Sequence, residues 1–190
     1  MSRIDPPRKP GLITRLTWQL ARRKSGGKLP EPIAVQGHNP GLMNGYGAFE
    51  LAFAGAKRAP ERLKMLMELK AGAIVGCEWC MDYGSWLARG EGISEAQLRA
   101  LPSFRESELF DSDEKLVLEY AEGISRTPVE VSDELFARLR ERFDEAQIVE
   151  LTYAGAIENL RARFNWALDI GSQGYTEGAF CVRPEQPLPA

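Results

Sequence analysis

Residues 61–86 read ERLKMLMELKAGAIVGCEWCMDYGSW, and this stretch carries the strongest indication of the fold class. From residue 69 to residue 75 the side chains are apolar on almost every helical face, which is typical of a helix in the middle of a bundle or at a subunit interface. A further helix is predicted to begin at or just after Cys77 and to run to Arg89, where RGEG stops it. Cys77 and Cys80 therefore lie three residues apart, in the first turn of a helix that follows a buried one.

Helix start signals recur along the rest of the chain, and no alternating strand pattern of useful length lies between them. Asn39 and Pro40 form an N-cap and first-turn pair that opens a helix through about Lys57. Capping signals and apolar periodicity predict further helices over residues 60–76, from Ser94, near Ser112–Ser125, near Ser132–Phe143 and from Asp144. We therefore predict an all-α fold, a helical bundle that forms one domain over residues 1–190.

The two ends of the chain differ in composition from the middle. Residues 1–30 carry eight Lys and Arg against one Asp, and they include a predicted basic helix over about 11–25. The apolar side chains of this helix either dock on the domain, as we expect, or face an anionic lipid surface; they are Leu12, Ile13, Leu16 and Leu20. A Pro- and Gly-rich linker is expected over residues 26–40. An extended tail that packs over a neighbouring chain is expected over about 171–190.

Composition and charge argue against several classes of protein. With 44% apolar and 27% charged residues, the 190-residue chain has the make-up of an ordinary soluble globule. It has no run of about 18 apolar residues and no secretory signal, so we expect a cytoplasmic protein with no membrane partner. Residues 31–190 hold sixteen Lys and Arg against twenty-six Asp and Glu, which argues against nucleic-acid binding.

Three cysteines are too few for a disulfide scaffold, and in a reducing compartment a Cys-x-x-Cys pair is more often catalytic or metal-binding than structural. Unpaired N–H groups and the helix dipole lower the pKa of a cysteine in a first helical turn. At this spacing the sulfurs of Cys77 and Cys80 can form a disulfide, so that one attacks a peroxide or disulfide and the other resolves the product. Two alternatives remain. The pair either joins Cys181 and His38 in a metal site or packs as small apolar side chains.

The helix that Asp144 opens is the longest one predicted. It is expected to bury a stripe of Val149, Thr152, Ala156, Leu160 and Ala167. Four polar residues of this helix either bind an anionic group or a neighbouring subunit or, as we expect, form a solvated or interfacial ion-pair set: Glu158, Asn159, Arg161 and Arg163. His38 is the single histidine of the chain, and we expect it at the surface or at a helix cap.

Residues 76–101, GCEWCMDYGSWLARGEGISEAQLRAL, resemble the carboxymuconolactone decarboxylase family, specifically its alkylhydroperoxidase-D-like branch with a Cys-x-x-Cys motif. Residues 29–50 and 148–175 resemble the first and closing helices of the longer members. The resemblance implies an all-helical domain that assembles as trimers or hexamers, with the cysteine pair at a helix start near a subunit interface. In peroxidase members the downstream cysteine attacks the hydroperoxide, which implies that Cys80 attacks here and Cys77 resolves.

Two positions depart from the peroxidase motif of that family. Gly84 stands four residues after the second cysteine, where the family has a histidine, and Met65 stands where it has a glutamate. Glu68, one turn later, is either a partly buried base that deprotonates the first cysteine or a salt-bridged carboxylate. Asp82 either accepts a proton beside the second cysteine or only favours the first turn of its helix.

The residues and the resemblance together predict a thiol-dependent oxidoreductase that cycles Cys77 and Cys80 between dithiol and disulfide. We expect an organic hydroperoxide or a partner disulfide as substrate and a thiol as electron donor, with no bound cofactor or metal. The alternatives are a lyase that decarboxylates a lactone, and a non-catalytic helical oligomer with a redox-sensitive pair. The acidic chain and its single histidine argue against the lyase.

Overall fold

The structure, a computed structural model, describes residues 2–185, and within them every regular element is a helix. The α-helices are α1 (Leu12–Lys24), α2 (Glu31–Gln36), α3 (Pro40–Gly55), α4 (Glu61–Val75), α5 (Glu78–Ala88), α6 (Glu95–Ala100), α7 (Ser112–Ser125), α8 (Asp133–Arg142) and α9 (Glu145–Ala167), and a 3-10 turn at Leu101–Ser103 follows α6. The all-α prediction is confirmed. No helix among these residues is long and apolar enough to cross a membrane.

Helix α4 occupies the middle of the bundle and packs against α5, α7 and α9. Leu66, Met67, Ala71 and Ala73 are fully enclosed, so the prediction of a helix buried on most faces is confirmed. Two lysines of α4 are buried as well. One of them, Lys70, is neutralised by Glu122 at 2.9 Å and Glu185 at 2.5 Å, since a buried cation needs such partners.

The capping signals place the helix starts correctly. Asn39 accepts a hydrogen bond from the Leu42 N–H at 3.1 Å, and capping boxes begin at Ser94, Asp111 and Asp144. The linker predicted over residues 26–40 is wrong at its centre, where α2 forms. This short helix is held by tertiary contact, because the Trp18 indole N–H donates to the Ile33 carbonyl at 3.2 Å.

The predicted core stripe of α9 is wrong. Val149 and Leu160 are each 54% exposed, and the buried face consists of Ile148, Leu151, Ala154, Gly155, Ile157, Glu158, Ala162 and Asn165. Apolar residues occur on both faces of α9, so the periodicity does not choose between them. The packing of α4 and α7 against α9 determines which of its faces is buried.

The docking prediction for the four apolar residues of α1 is also wrong within this chain. Leu12, Ile13, Leu16 and Leu20 are 74%, 64%, 54% and 59% exposed. The contacts of α1 with α2 and α3 instead come from the opposite side of the helix. There Thr14 is buried and the Thr17 hydroxyl donates to the Asn44 side chain at 3.1 Å.

The C-terminal segment packs on its own chain as far as residue 185, and its packing over a neighbouring chain stays a prediction. The Val182 N–H donates to the Ser85 hydroxyl at 3.0 Å, and the Glu185 N–H donates to the Ala73 carbonyl at 3.1 Å. Val182 is buried in the main core. Residues 186–190 of the predicted tail lie outside the described residues.

Candidate functional site

Cys77 and Cys80 form a disulfide at the start of α5. Helix α4 ends at Gly76, whose φ of 81° reverses the chain direction at little cost for a glycine. This turn makes Cys77 the N-cap of α5, and its sulfur accepts the Cys80 backbone N–H at 3.1 Å. Cys77 is 1% exposed and Cys80 is 8% exposed, so Cys80 is the more accessible of these two cysteines.

Asn165 on α9 faces both sulfurs. Its side-chain Nδ2 lies 3.5 Å from the Cys77 Sγ and 3.4 Å from the Cys80 Sγ. The residue is 1% exposed, and its Oδ1 has no hydrogen-bond donor among residues 2–185. The amide is therefore a dedicated polar neighbour of the cysteine pair.

Apolar and aromatic side chains enclose the rest of the pair. Val35, Ala162 and Ile170 belong to the same buried cluster as the two cysteines. Trp79 belongs to the cluster too, and its ring stacks on that of Tyr83 with centroids 4.8 Å apart, while Tyr175 meets Tyr83 edge-on at 4.9 Å. The surroundings are thus of low polarity, which strengthens any electrostatic interaction with a thiolate.

A cluster of charges lies beside the pair, on α3, α4 and α9. The Arg161 guanidinium contacts Glu50 at 2.5 Å, Glu68 at 2.8 Å and Glu158 at 3.0 Å. The Tyr46 hydroxyl donates to Glu50 and also lies 3.1 Å from the Arg161 Nε. Three carboxylates share one guanidinium, so the cluster favours the uptake of a proton.

Burial raises the pKa of Glu158 to about 8, with Arg161 opposing the shift and Glu68 adding to it. The pKa of Glu68 is raised for the same leading reason, again against Arg161. Glu158 is 5% exposed. A carboxyl group with such a pKa exchanges protons with a thiol near neutral pH, because the two pKa values are similar.

Gly72 on α4 lies between this cluster and the cysteine pair. A Cβ atom at Gly72 would lie 3.2 Å from the Glu158 Oε1 and 3.4 Å from the Cys80 Cβ. The carboxylate oxygen and the Cys80 Cβ are therefore no farther apart than the sum of these two distances. Any larger residue at position 72 would intrude between them.

Asp82 holds the segment that follows α9. Its carboxylate accepts hydrogen bonds from the backbone N–H groups of Gln173, Tyr175 and Thr176 and from the hydroxyls of Ser172 and Thr176, at 2.8 to 3.0 Å. Burial opposes its ionisation, but these hydrogen bonds outweigh burial and lower the pKa of Asp82. The arrangement suits a permanent anion that anchors a loop.

The loop anchored by Asp82 covers one side of the pair. The Trp79 indole N–H donates to the Gln173 side chain at 2.7 Å, and the Glu31 N–H donates to the same oxygen at 2.8 Å. The Lys28 ammonium contacts the carbonyls of Gln173 and Gly174. Residues 172–176 therefore join α2, α5 and the residues after α1 beside the cysteine pair.

Comparison with known proteins agrees with this architecture. The profile of the Carboxymuconolactone decarboxylase family matches residues 40–123. The uncharacterized protein YnjA of Escherichia coli (strain K12) is 36% identical over 185 residues, which cover 96% of this chain and 98% of YnjA. The chain belongs to the carboxymuconolactone decarboxylase family.

Two solved structures share the fold at lower identity. An uncharacterized peroxidase-related protein from Ralstonia eutropha JMP134, with an alkylhydroperoxidase AhpD core, superposes with a TM-score of 0.80 at 15% identity, over 92% of this chain and 94% of that one. A cysteine-to-alanine variant of the debrominase Bmp8, in complex with 2,3,4-tribromopyrrole, superposes with a TM-score of 0.78 at 21% identity, over 90% of this chain and 92% of that one. The family's AhpD-like fold is therefore present here.

Other residues singled out from the sequence lie away from the two sulfurs. The His38 ring contacts the Asp5 carbonyl at 2.8 Å. Cys181 is a free thiol whose pKa is raised by burial. Within residues 2–185 no three His, Cys, Asp or Glu side chains are grouped as metal ligands. Gly84 packs closely against Leu69, which would lie 3.2 Å from a Cβ at that position.

Sequence reasoning places Glu68 in the site region but misses Asn165, and it assigns Glu158 to a solvent-facing or interfacial set. The matched family profile ends at residue 123, before α9 begins. A detectable signal is the spacing of Glu158, Arg161 and Asn165, which puts all three near one helical face. Only the register of α9 against α4 shows that this face is buried.

Proposed function

We propose that this family member is a thiol-dependent oxidoreductase that reduces organic hydroperoxides by cycling Cys77 and Cys80 between dithiol and disulfide. The observation that carries the proposal is the disulfide at a helix N-terminus, with an amide donor on its sulfurs and a carboxyl group of raised pKa beside it. Backbone N–H groups at the helix start and the Asn165 amide stabilise a thiolate. The chemistry needs no bound cofactor.

In this proposal Cys80 attacks, which its greater exposure and its proximity to Glu158 support. Glu158 accepts the Cys80 proton, and the thiolate then attacks the terminal peroxide oxygen, which breaks the O–O bond. Cys80 becomes a sulfenic acid and the departing alkoxide takes the proton from Glu158. The Cys77 sulfur then attacks the Cys80 sulfur and displaces the sulfenic hydroxyl, which takes the Cys77 proton and leaves as water, so that the disulfide forms. A thiol donor restores the dithiol.

Glu68 and Asp82 have supporting roles in this scheme. Glu68 shares Arg161 with Glu158, so its charge helps to keep the pKa of Glu158 high. Asp82 anchors residues 172–176 rather than moving protons, because its lowered pKa makes it a weak proton acceptor.

The experiment measures the loss of the two thiols after reduced protein is mixed with cumene hydroperoxide, in the parent, Cys77→Ser and Cys80→Ser. We expect fast loss in the parent and a sulfenic acid at Cys80 in Cys77→Ser, with no fast phase in Cys80→Ser. Thiol loss no faster than that of free cysteine would refute hydroperoxide reduction. A protein disulfide offered to the same reduced protein then tests the partner-disulfide substrate, and lactone turnover that survives both substitutions would support the lyase alternative.

Reductive dehalogenation of an aromatic compound is a second candidate, and the aromatic group of Trp79, Tyr83 and Tyr175 next to the pair favours it. The dithiol would supply two electrons, so that a carbon–bromine bond is replaced by carbon–hydrogen while the disulfide and hydrogen bromide form. The structure of the debrominase Bmp8, which has a similar fold, contains 2,3,4-tribromopyrrole. Bromide release from that compound, in step with thiol loss, would establish the activity. No release would exclude this substrate.

We also propose that the chain acts as a homo-oligomer, a trimer or hexamer, in the reducing cytoplasm. Helix α3 supports this, because Met43 is its only buried residue while Leu42 and Leu51 are 71% and 61% exposed. An apolar helix left so open is typical of a subunit interface. Light scattering should give three or six chains for the parent and fewer for Leu42→Asp. A monomeric parent would refute the proposal.

A further inference from the structure

The amide of Asn165 is only half satisfied while the disulfide is present. Its Nδ2 donates to the two sulfurs, which as members of a disulfide can only accept. Its Oδ1 is buried and has no donor among the residues that the structure describes. A 180° flip of the amide would place its Oδ1 next to sulfurs that carry no proton to donate. The orientation with Nδ2 facing the sulfurs is therefore the favourable one.

Reduction supplies the missing donor. Two electrons and two protons convert the disulfide into two thiols, and each S–H is a weak donor. A rotation of the amide about its Cβ–Cγ bond would then let one S–H donate to the Asn165 Oδ1 while Nδ2 donates to the other sulfur. When that other sulfur ionises, its hydrogen bond becomes charge-assisted and stronger.

We propose that Asn165 is a positioning residue that sets the redox equilibrium of Cys77 and Cys80 by stabilising the dithiol over the disulfide. A buried acceptor without a partner is unfavourable, and here that penalty applies to the oxidised state and is relieved on reduction. The amide thereby makes the disulfide easier for a thiol donor to reduce. This inference rests on the proposed cycling of the pair and goes beyond it, since it assigns the balance between the two states to one side chain.

A purely structural role for Asn165 makes a different prediction. An amide that only fills space between α5 and α9 would stabilise the oxidised and reduced chains alike. Its replacement would then lower the stability of both forms and leave the redox equilibrium unchanged. The equilibrium constant therefore separates the two roles.

The experiment equilibrates the full chain with glutathione redox buffers and measures the reduced fraction by alkylation and mass spectrometry. Asn165→Leu, which removes donor and acceptor at similar volume, should shift the equilibrium toward the disulfide by about tenfold or more. It should also raise the pKa of the first thiol to ionise. Asn159→Leu is the matched control, because Asn159 lies on the same helix and its amide contacts Ser125 and the Gly155 carbonyl instead of sulfur.

An Asn165→Leu equilibrium within about twofold of the parent, or a shift toward the dithiol, would overturn the inference. If Asn165→Leu does not fold, Asn165→Ser retains a small polar group that is too short to bridge both sulfurs, and the same shift toward the disulfide is expected. The assay contains no peroxide. A shifted equilibrium in a protein whose thiols ignore hydroperoxides would therefore support the role of Asn165 and refute only hydroperoxide reduction.

Discussion

Replacing Glu158 by Gln should make the stability of the protein less sensitive to pH. Burial raises the pKa of Glu158 from its ordinary value of 4.5 to about 8, with Arg161 opposing. The folded chain therefore retains a proton that the unfolded chain releases between these two values, so the parent loses stability as pH rises through that window. At about 1.4 kcal/mol per pKa unit, the free energy of unfolding that the parent loses over the whole window is about 5 kcal/mol. A glutamine side chain cannot ionise, so the Glu158→Gln variant escapes this loss.

The assay is urea unfolding of the oxidised protein at about pH 5 and about pH 8. On going from the lower to the higher pH, Glu158→Gln should gain about 2–5 kcal/mol in unfolding free energy relative to the parent. Glu145→Gln is the control, because that side chain is 89% exposed, and it should follow the parent. If Glu158→Gln also follows the parent, the raised pKa is refuted, and with it the proposed role of Glu158 as the proton carrier of Cys80.

Three further substitutions probe the surroundings of the pair. Asp82→Asn should lower the unfolding free energy by about 2–4 kcal/mol and speed hydrogen exchange in residues 172–176. Because the pKa of Asp82 is lowered, the parent should lose the same stabilisation only as pH falls below the ordinary value of 3.8. Gly72→Ala places a methyl group 3.2 Å from the Glu158 Oε1, and it should slow thiol loss to hydroperoxide at least about tenfold while changing stability by about 1 kcal/mol or less. Arg161→Met removes the cation that Glu50, Glu68 and Glu158 share and should lower the free energy of unfolding, measured in urea, by about 3–5 kcal/mol.

The sequence predicts those parts of the fold that local chemistry determines. The caps at Asn39, Ser94 and Asp144 fix helix starts because each side chain satisfies N–H groups of its own first turn. The position of Cys77 and Cys80 at the start of α5 is likewise local, since Gly76 ends the preceding helix. These predictions need no knowledge of what lies across the bundle.

The parts that sequence reasoning could not supply depend on contacts distant along the chain. Helix α9 has apolar residues on two faces, and its register against α4 decides that Leu160 is exposed while Glu158 is buried. The raised pKa of Glu158 comes first from its burial, which this register produces; Glu68 on α4, far away in sequence, adds to the shift and Arg161 opposes it. Asn165 reaches the sulfurs only because α9 packs beside α5.

The chemistry of the pair is consequently not determined by the Cys-x-x-Cys motif itself. The turn between α4 and α5 places two sulfurs where they can give up two electrons as they form a disulfide. Two electrons can reduce an oxygen–oxygen bond, a protein disulfide or a carbon–halogen bond equally well. The amide that faces the sulfurs and the carboxyl group beside Cys80 come from α9, while the loop over the site comes from residues 172–176. These segments lie beyond the matched family profile. Members that share the dithiol can therefore differ in substrate, and the substitutions that change substrate in this chain should fall in α9 and in that loop.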